Sequence, residues 1–469
     1  MIALTLSHIA AITGGTLHGD DRTVDGPVVT DSREAAPGSL YVARIGEYAD
    51  GHDFAPSALE AGAVGVLGSR ALPGIPTVVV DDVQQAFGDL ARAVVDLAPS
   101  LRIVGITGSS GKTSTKDLLA QVLAPLGETV APVGSYNSEV GVPLTVCRVT
   151  TGTRFLVAEM GATNLGNITY LTHIAPPAVG IVLNVGTAHV GEFGSVEAIA
   201  QTKGELVEAL PGTGLAILNA DDPRVAAMAA RTRARVVTVG LGEAAQVRAV
   251  DVSLDDQDRP AFTVLGLDGV EALPVRLGLH GEHQVGNALA VAVAARELGA
   301  SGEQIATGLA GARAVSRWRM EVHQLPTGIT LINDAYNANL DSMQAALRAL
   351  QRIGRGHRTI AVLGEMRELG DFSAAAHHQV GAAAAELGTG VVVAVGAGAE
   401  PIAAAAEAAG VRVERAADVD EAHRVVMQLL APSDVILFKS SRDSGLRFLG
   451  DRITVEQGGY LQEHGPTHA

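Results

Sequence analysis

Cysteine is almost absent from this sequence: Cys147 is the only one among 469 residues. A single thiol cannot form an intramolecular disulfide, so a reducing compartment is the expected setting. Within "PLTVCRV" the side chain reads as a small buried hydrophobe. Tryptophan also occurs once, at Trp318, where packing is expected rather than chemistry. Positive charge is in short supply, the formal net charge being −17. That excludes a protein whose affinity for nucleic acid rests on dense Lys and Arg. It does not exclude a small anionic ligand, because backbone N–H groups can hold phosphate inside an acidic protein. Long apolar runs are missing too, so no membrane insertion is expected. The opening "MIALTLSHIAAITGG" has no basic lead and is broken by Ser7 and His8, which speaks against a secretory signal. A cytoplasmic protein is the expectation.

What is present is alternation. Hydrophobic residues make up 47% of the chain, enough for substantial cores. Short β-branched runs alternate with Ala/Leu-rich helical patterns, the signature of parallel sheets covered by helices. The length predicts about three domains. An N-terminal α/β unit over 1–98 carries strands in "GSLYVA", "AVGVLGS" and "TVVVDD". A central unit over 99–315 opens with "LRIVGIT" and includes an antiparallel excursion near 246–280. A C-terminal Rossmann-like unit over 316–469 repeats the alternation from "ITLIND" to "DVILFKS".

The first chemical signal is "GITGSSGKTSTKDLLAQVL" at 105–123. A phosphate-binding loop needs a strand before it and a helix after it, so that free N–H groups at the helix N-terminus meet the anion. Both are predicted here. Gly108, Ser109, Ser110 and Gly111 form the turn, Lys112 can reach β- and γ-phosphates, and Thr113 can offer a hydroxyl to Mg²⁺. The central unit is therefore read as a P-loop ATPase-type parallel sheet. The next strand, "RFLVAEMGA", ends in Glu159, where a carboxylate partner of Mg²⁺ belongs. Ile106 occupies the position of the usual first P-loop glycine.

The loop "TGSSGKT" resembles the T-G-x-x-G-K-[ST] loop of the Mur ligase family. The likeness runs along the whole chain through "DSREAAPGSLYVA", "EMGA", "NVGTAHVGEFGS", "KGEL", "ILNADDP", "GEHQVGNALA", "RWRMEV", "DAYNAN", "GEMRELG" and "KSSR", in family order. The resemblance implies an ATP-dependent, ADP-forming amide ligase of peptidoglycan precursor synthesis. It is closest to the members that add D-alanyl-D-alanine to UDP-N-acetylmuramoyl-tripeptide through an acyl phosphate. It further implies two Mg²⁺ ions, held by Thr113, Glu159, His189 and Lys203, with Lys203 carbamylated, and a monomer. Catalytic work would fall to Lys112, Glu159, His189 and Lys203.

Residue by residue, the plain readings stand beside the implied ones. A lone His after a strand is usually structural and a lone Lys usually solvated, yet the resemblance gives His189 and Lys203 a metal site. His283 and Asn287 lie four apart on one helical face, either as a structural helix start or, by resemblance, at the adenine. Arg319 would reach ATP phosphate, and Asp334, otherwise a cap, would hold ribose hydroxyls. Asp31, Ser32 and Arg33 could make only a turn, or meet the uridine diphosphate. By the resemblance Asn137 would belong to the phosphate or metal shell, and Glu365, Lys439 and Ser441, at the carboxyl ends of C-terminal strands, are candidates for the acceptor amine and incoming dipeptide. Leu340, Gln284 and Ser138 depart from the family pattern, Leu340 by removing a rigidifying proline. They keep open a ligase with another acceptor or nucleotide-peptide, and a regulatory P-loop ATPase is a further alternative.

Overall fold

The computed structural model describes residues 1–461 except 133 and 187–189. Three larger sheets and one small strand pair organise the described chain. In the first, Val28–Val29, Leu40–Val42, Gly65–Gly68 and Thr77–Val79 run parallel, and Thr16–His18 closes one edge antiparallel. The helix Val83–Asp96 follows, started by Asp82, whose carboxylate accepts the Gln84 and Gln85 N–H groups. Its Ala86, Phe87, Leu90, Ala91 and Val94 share a buried face at helical spacing.

The nine-stranded central sheet explains where a ligand can sit. Arg102–Thr107 lies between Phe155–Glu159 on one side and Val179–Val182 on the other, all parallel. The chain therefore leaves this strand in one direction and later returns on its other side. Such a switch point opens a crevice at the carboxyl ends of the strands. The sheet continues through Leu215–Asn219 and Arg235–Gly240. It ends in Val247–Leu254, Pro260–Leu265 and Ala272–Arg276, paired antiparallel as the turn-rich sequence suggests.

The third sheet repeats the device. Val435–Lys439 sits between Thr330–Asn333 and Thr359–Leu363, so Asp334, Gly364 and Lys439 emerge side by side. The edge strand Glu321–Gln324, antiparallel to Thr330–Asn333, has no clear signal in "RWRMEV". After Asp334 comes the helix Leu340–Ile353, with Met343, Ala346, Leu347 and Leu350 buried. Asn339 accepts the Ser342 N–H while the Ser342 hydroxyl accepts the Asn339 N–H. This reciprocal cap supplies the constraint that a proline at position 340 would otherwise give.

The central and C-terminal units touch. Arg352 bridges them, meeting the buried Asp258 at 3.2 Å and Glu282 at 2.5 Å. The Gly191 N–H donates to the Glu368 carbonyl at 3.0 Å. The second borders the crevice described next, which Glu368 lines.

Candidate active site

The loop after Arg102–Thr107 is shaped by glycine at one decisive point. Gly111 adopts φ +81°, and a Cβ there would meet Asn287 Oδ1 at 2.8 Å. The helix Lys112–Leu123 starts directly behind it, pointing its first N–H groups into the crevice. The strand Val179–Val182 leads to Asn184, which pins the loop from the side. Its Oδ1 accepts the Ser110 N–H at 2.9 Å and its Nδ2 donates to the Ser110 carbonyl at 3.2 Å. Ser109 Oγ accepts the Gly186 N–H. Lys112 Nζ curls back to donate to the Gly108 carbonyl at 2.7 Å. Burial lowers the Lys112 pKa; Glu159 opposes that and Arg319 adds to it.

Glu159 is 1% exposed. One carboxylate oxygen accepts Thr113 Oγ1 at 2.9 Å, and the other accepts Ser135 Oγ at 2.8 Å and Asn137 Nδ2 at 2.7 Å. Burial pushes its pKa up, but Lys112, Lys116, Arg319 and the Asn137 amide together outweigh it, and the group lies below the usual range. A buried carboxylate that stays anionic beside a P-loop threonine suits a hard cation. Among the described residues no three His, Cys, Asp or Glu side chains gather as an all-protein metal site.

Lys203 enters from the helix Val196–Glu208 and is 5% exposed. Among the described residues its ammonium has no hydrogen-bond or ion-pair partner. Burial, reinforced by Lys112, holds its pKa well below the ordinary lysine value. His189 lies outside the described residues.

From the opposite wall, Arg319 Nη2 reaches Thr113 Oγ1 at 3.4 Å, and its guanidinium lies 4.3 Å over the Tyr336 ring. Among the described residues its buried Nε has no hydrogen-bond partner. Asp334 accepts Lys439 Nζ at 2.6 Å and the Met320 N–H at 3.1 Å. Lys439 is buried, which lowers its pKa against the pull of Asp334. Ser441 Oγ accepts the Arg367 N–H.

A crevice of ≈ 830 Å³ brings these groups together. Ser109, Ser110, Gly111, Lys112, Thr113, Asn137, Glu159 and Lys203 line its central wall. Arg319, Asp334, Lys439 and Ser441 line the other. His283 and Asn287 close one end, where Asn287 Nδ2 donates to Gln284 Oε1 at 2.8 Å. Gln284 is buried beside it and lines the crevice, a position the sequence pattern alone did not assign. His283 is open to the crevice yet closely surrounded. That burial lowers its pKa against Asp334, with Lys439 and Arg348 adding to the effect.

Gly108 lies just behind the lining. The structure does not bring Glu365 into the crevice: its carboxylate pairs with Arg367 Nε at 2.7 Å, and Arg367 faces the cavity instead. Asp31, Ser32 and Arg33 also lie apart, in the N-terminal unit. There Asp31 accepts the Arg33 N–H at 2.9 Å and pairs with the Arg33 guanidinium at 2.5 Å, leaving that side chain exposed.

Two residues within the P-loop helix escaped sequence reasoning. Lys116, fully buried, donates to the Pro132 and Gly134 carbonyls and to Ser316 Oγ, and pairs with Asp117 at 2.5 Å. Asp117 accepts the Ser316 N–H. Their only sequence signal was a pair of charges within the helix that follows the loop.

Comparison with known proteins places the chain in a family. Residues 106–295 match the Mur ligase middle domain, 318–442 the Mur ligase glutamate ligase domain, and 27–95 the Mur ligase family catalytic domain. The chain belongs to the Mur ligase family. It is thereby an ATP-dependent, ADP-forming ligase. The UDP-N-acetylmuramoyl-tripeptide–D-alanyl-D-alanine ligase of Mycobacterium tuberculosis is 46% identical, over 97% of this chain and 98% of its own. A crystal structure of MurF from Acinetobacter baumannii superposes with a TM-score of 0.85 at 30% identity, over 97% of this chain and 99% of that one. MurF from Thermotoga maritima in complex with ADP gives 0.78 at 27% identity, over 92% and 98%.

Proposed function

We propose that this ligase joins D-alanyl-D-alanine to UDP-N-acetylmuramoyl-tripeptide in peptidoglycan precursor synthesis. The observation that carries the reading is one crevice whose two walls hold complementary parts. The P-loop with Lys112, Glu159 and Lys203 faces Arg319, Asp334 and Lys439. The likeness to the mycobacterial enzyme along nearly the full length of both chains supports the choice of substrates.

In this reading residues 1–98 take the uridine diphosphate end through Asp31, Ser32 and Arg33. Residues 99–315 take the triphosphate, and residues 316–469 bring the dipeptide past Lys439 and Ser441. Loop N–H groups and Lys112 orient the phosphates, while His283, Asn287 and Asp334 receive the nucleoside. The tripeptide carboxylate attacks the γ-phosphorus, ADP departs, and the dipeptide amine then attacks the acyl phosphate carbonyl, releasing phosphate. Arg319 and Lys112 face the charge that builds on the transferring group. Thr113, Glu159 and a carbamate on Lys203 would hold Mg²⁺, which when bound neutralises phosphate charge. The low pKa of Lys203 favours that carbamate, since only a neutral amine attacks carbon dioxide. Contact between the two walls keeps water from the acyl phosphate.

Incubation with ATP, Mg²⁺, the tripeptide nucleotide and a panel of dipeptides tests the reading by product mass. A pentapeptide product formed with D-alanyl-D-alanine, and lost in Lys112→Ala, is expected. Product from a different acceptor only, or ATP hydrolysis without coupling, would overturn it.

A further inference from the structure

The segment that presents Arg319 is strained on both sides. Trp318 has φ +57° and Met320 has φ +53°, left-handed conformations that bulky side chains rarely adopt. Strain of this kind persists only where the surroundings over-determine the backbone. Here the surroundings can be named. The Trp318 carbonyl accepts the Tyr336 N–H at 3.2 Å, and the Met320 N–H donates to Asp334 at 3.1 Å. Those two bonds hold the backbone from the crevice side.

The other side is held by a single carboxylate from the last described helix, Leu446–Glu456. Asp451 Oδ2 accepts the Trp318 indole N–H at 3.0 Å and pairs with Arg317 at 2.6 Å, while Oδ1 accepts Asn333 Nδ2 at 3.2 Å. Asp451 is 8% exposed, and Trp318 is 9% exposed. The indole is packed edge-on against Phe448 and stacked with Tyr336, the ring beneath the Arg319 guanidinium. A chain of direct contacts thus runs from Asp451 through Trp318 and Tyr336 to Arg319.

We infer that Asp451 is a positioning residue for phosphoryl transfer: by gripping Trp318 and Arg317 it sustains the strained turn that aims Arg319 at Thr113. It touches no substrate itself. The inference rests on the proposed role of Arg319 at the ATP phosphates. Loss of the grip would let residues 317–320 relax toward ordinary backbone angles and swing the guanidinium away from the P-loop.

A double-mutant cycle tests this with steady-state ADP release by the full chain. Asp451→Asn keeps the size of the side chain and one acceptor oxygen but removes the charge that pairs with Arg317. It should lower kcat roughly 10–100-fold, the scale of a small misplacement of a catalytic group, with KM for the dipeptide within about twofold. Combined with Arg319→Ala it should cost nothing beyond Arg319→Ala alone, because the two act as one unit. Trp318→Phe, which removes the indole N–H that Asp451 accepts together with part of the ring packed against Phe448 and Tyr336, should show the same non-additivity. Losses that multiply, an unchanged kcat, or failure of both Asp451→Asn and Trp318→Phe to fold would overturn the inference. If the wild-type chain makes no coupled product, the proposed function fails instead. Active wild-type enzyme with multiplicative losses sinks the positioning role alone.

Discussion

Arg319 and Thr113 are 206 residues apart in sequence, yet the guanidinium of one lies 3.4 Å from the hydroxyl of the other. The contact joins the C-terminal unit to the P-loop, so the crevice is assembled from both walls. Arg319 also spreads its planar face over Tyr336. A lysine would keep the charge and lose both the fork and the stacking. Arg319→Lys should therefore lower kcat for ADP formation by about 10²-fold, the usual cost of one preorganised donor. Retention of more than half the activity in a steady-state assay would remove Arg319 from the chemistry.

Gly111 offers a sharper steric test. An alanine there would carry a Cβ at φ +81° and 2.8 Å from Asn287 Oδ1. The left-handed backbone alone costs roughly 1–2 kcal/mol for an L side chain. The loop must shift, and the N–H groups behind it shift with it. Gly111→Ala should weaken ADP binding about tenfold or more, measured by titration calorimetry. Unchanged affinity would mean that the loop geometry does not set the phosphate site.

Lys203 predicts a pH dependence of stability. Its folded pKa lies well below 10.5 because of burial, while the unfolded chain restores the ordinary value. Between those two values the unfolded state binds more protons, so stability rises with pH, by at most about 1.4 kcal/mol per pH unit for one group. Lys203→Met should remove that part of the slope and be the more stable protein at pH 7 in carbon-dioxide-free buffer. Lys112 and Lys439 are shifted the same way and remain in both proteins, so the difference reports Lys203 together with its repulsion by Lys112. Parallel melting curves from pH 7 to 10 would contradict the assignment.

Cys147 should be inert in the native protein. Burial pushes its thiol pKa up to about 12, so at pH 8 only about one molecule in 10⁴ carries a thiolate. A colorimetric thiol reagent should react with it only in denaturant. Rapid reaction under native conditions would show that this part of the chain opens readily.

The parts of the molecule that could be read in the sequence are those set by local physics. The thiol was legible from its apolar neighbours. The strand Arg102–Thr107, its Gly-rich turn and the helix beyond are specified within 22 consecutive residues, 102–123. The same holds for Glu159 at its strand end. Lys116 and Asp117 were illegible because their partner Ser316 is about 200 residues away. Glu365 illustrates the opposite failure. Its motif marks a loop that borders the crevice, but the residue order does not reveal that Arg367 takes the cavity-facing position and ties the carboxylate down. Asn184 lacked any signal beyond following a strand, and only the switch-point topology shows that it abuts the P-loop.

The Arg352 contact carries a prediction about the two walls themselves. Arg352 starts from the helix Leu340–Ile353 and reaches across to Asp258, whose side chain is 1% exposed, and to Glu282. Burial raises the Asp258 pKa while Arg352 opposes that, and among the described residues Asp258 Oδ2 has no hydrogen-bond partner. Arg352→Ala would leave this buried carboxylate without its cation whenever the walls meet. The penalty for such an orphan is about 1–3 kcal/mol or more. It bears only on the closed arrangement, because an open crevice would let water reach Asp258. Arg352→Ala should therefore shift the population toward open forms by roughly 5–150-fold. The shift would appear as a larger radius of gyration in small-angle scattering and a higher KM for all three substrates. Adding Asp258→Asn should restore part of the loss, since the amide no longer needs the guanidinium. If the single and double variants scatter identically to wild type, the Arg352–Asp258 pair does not hold the walls together.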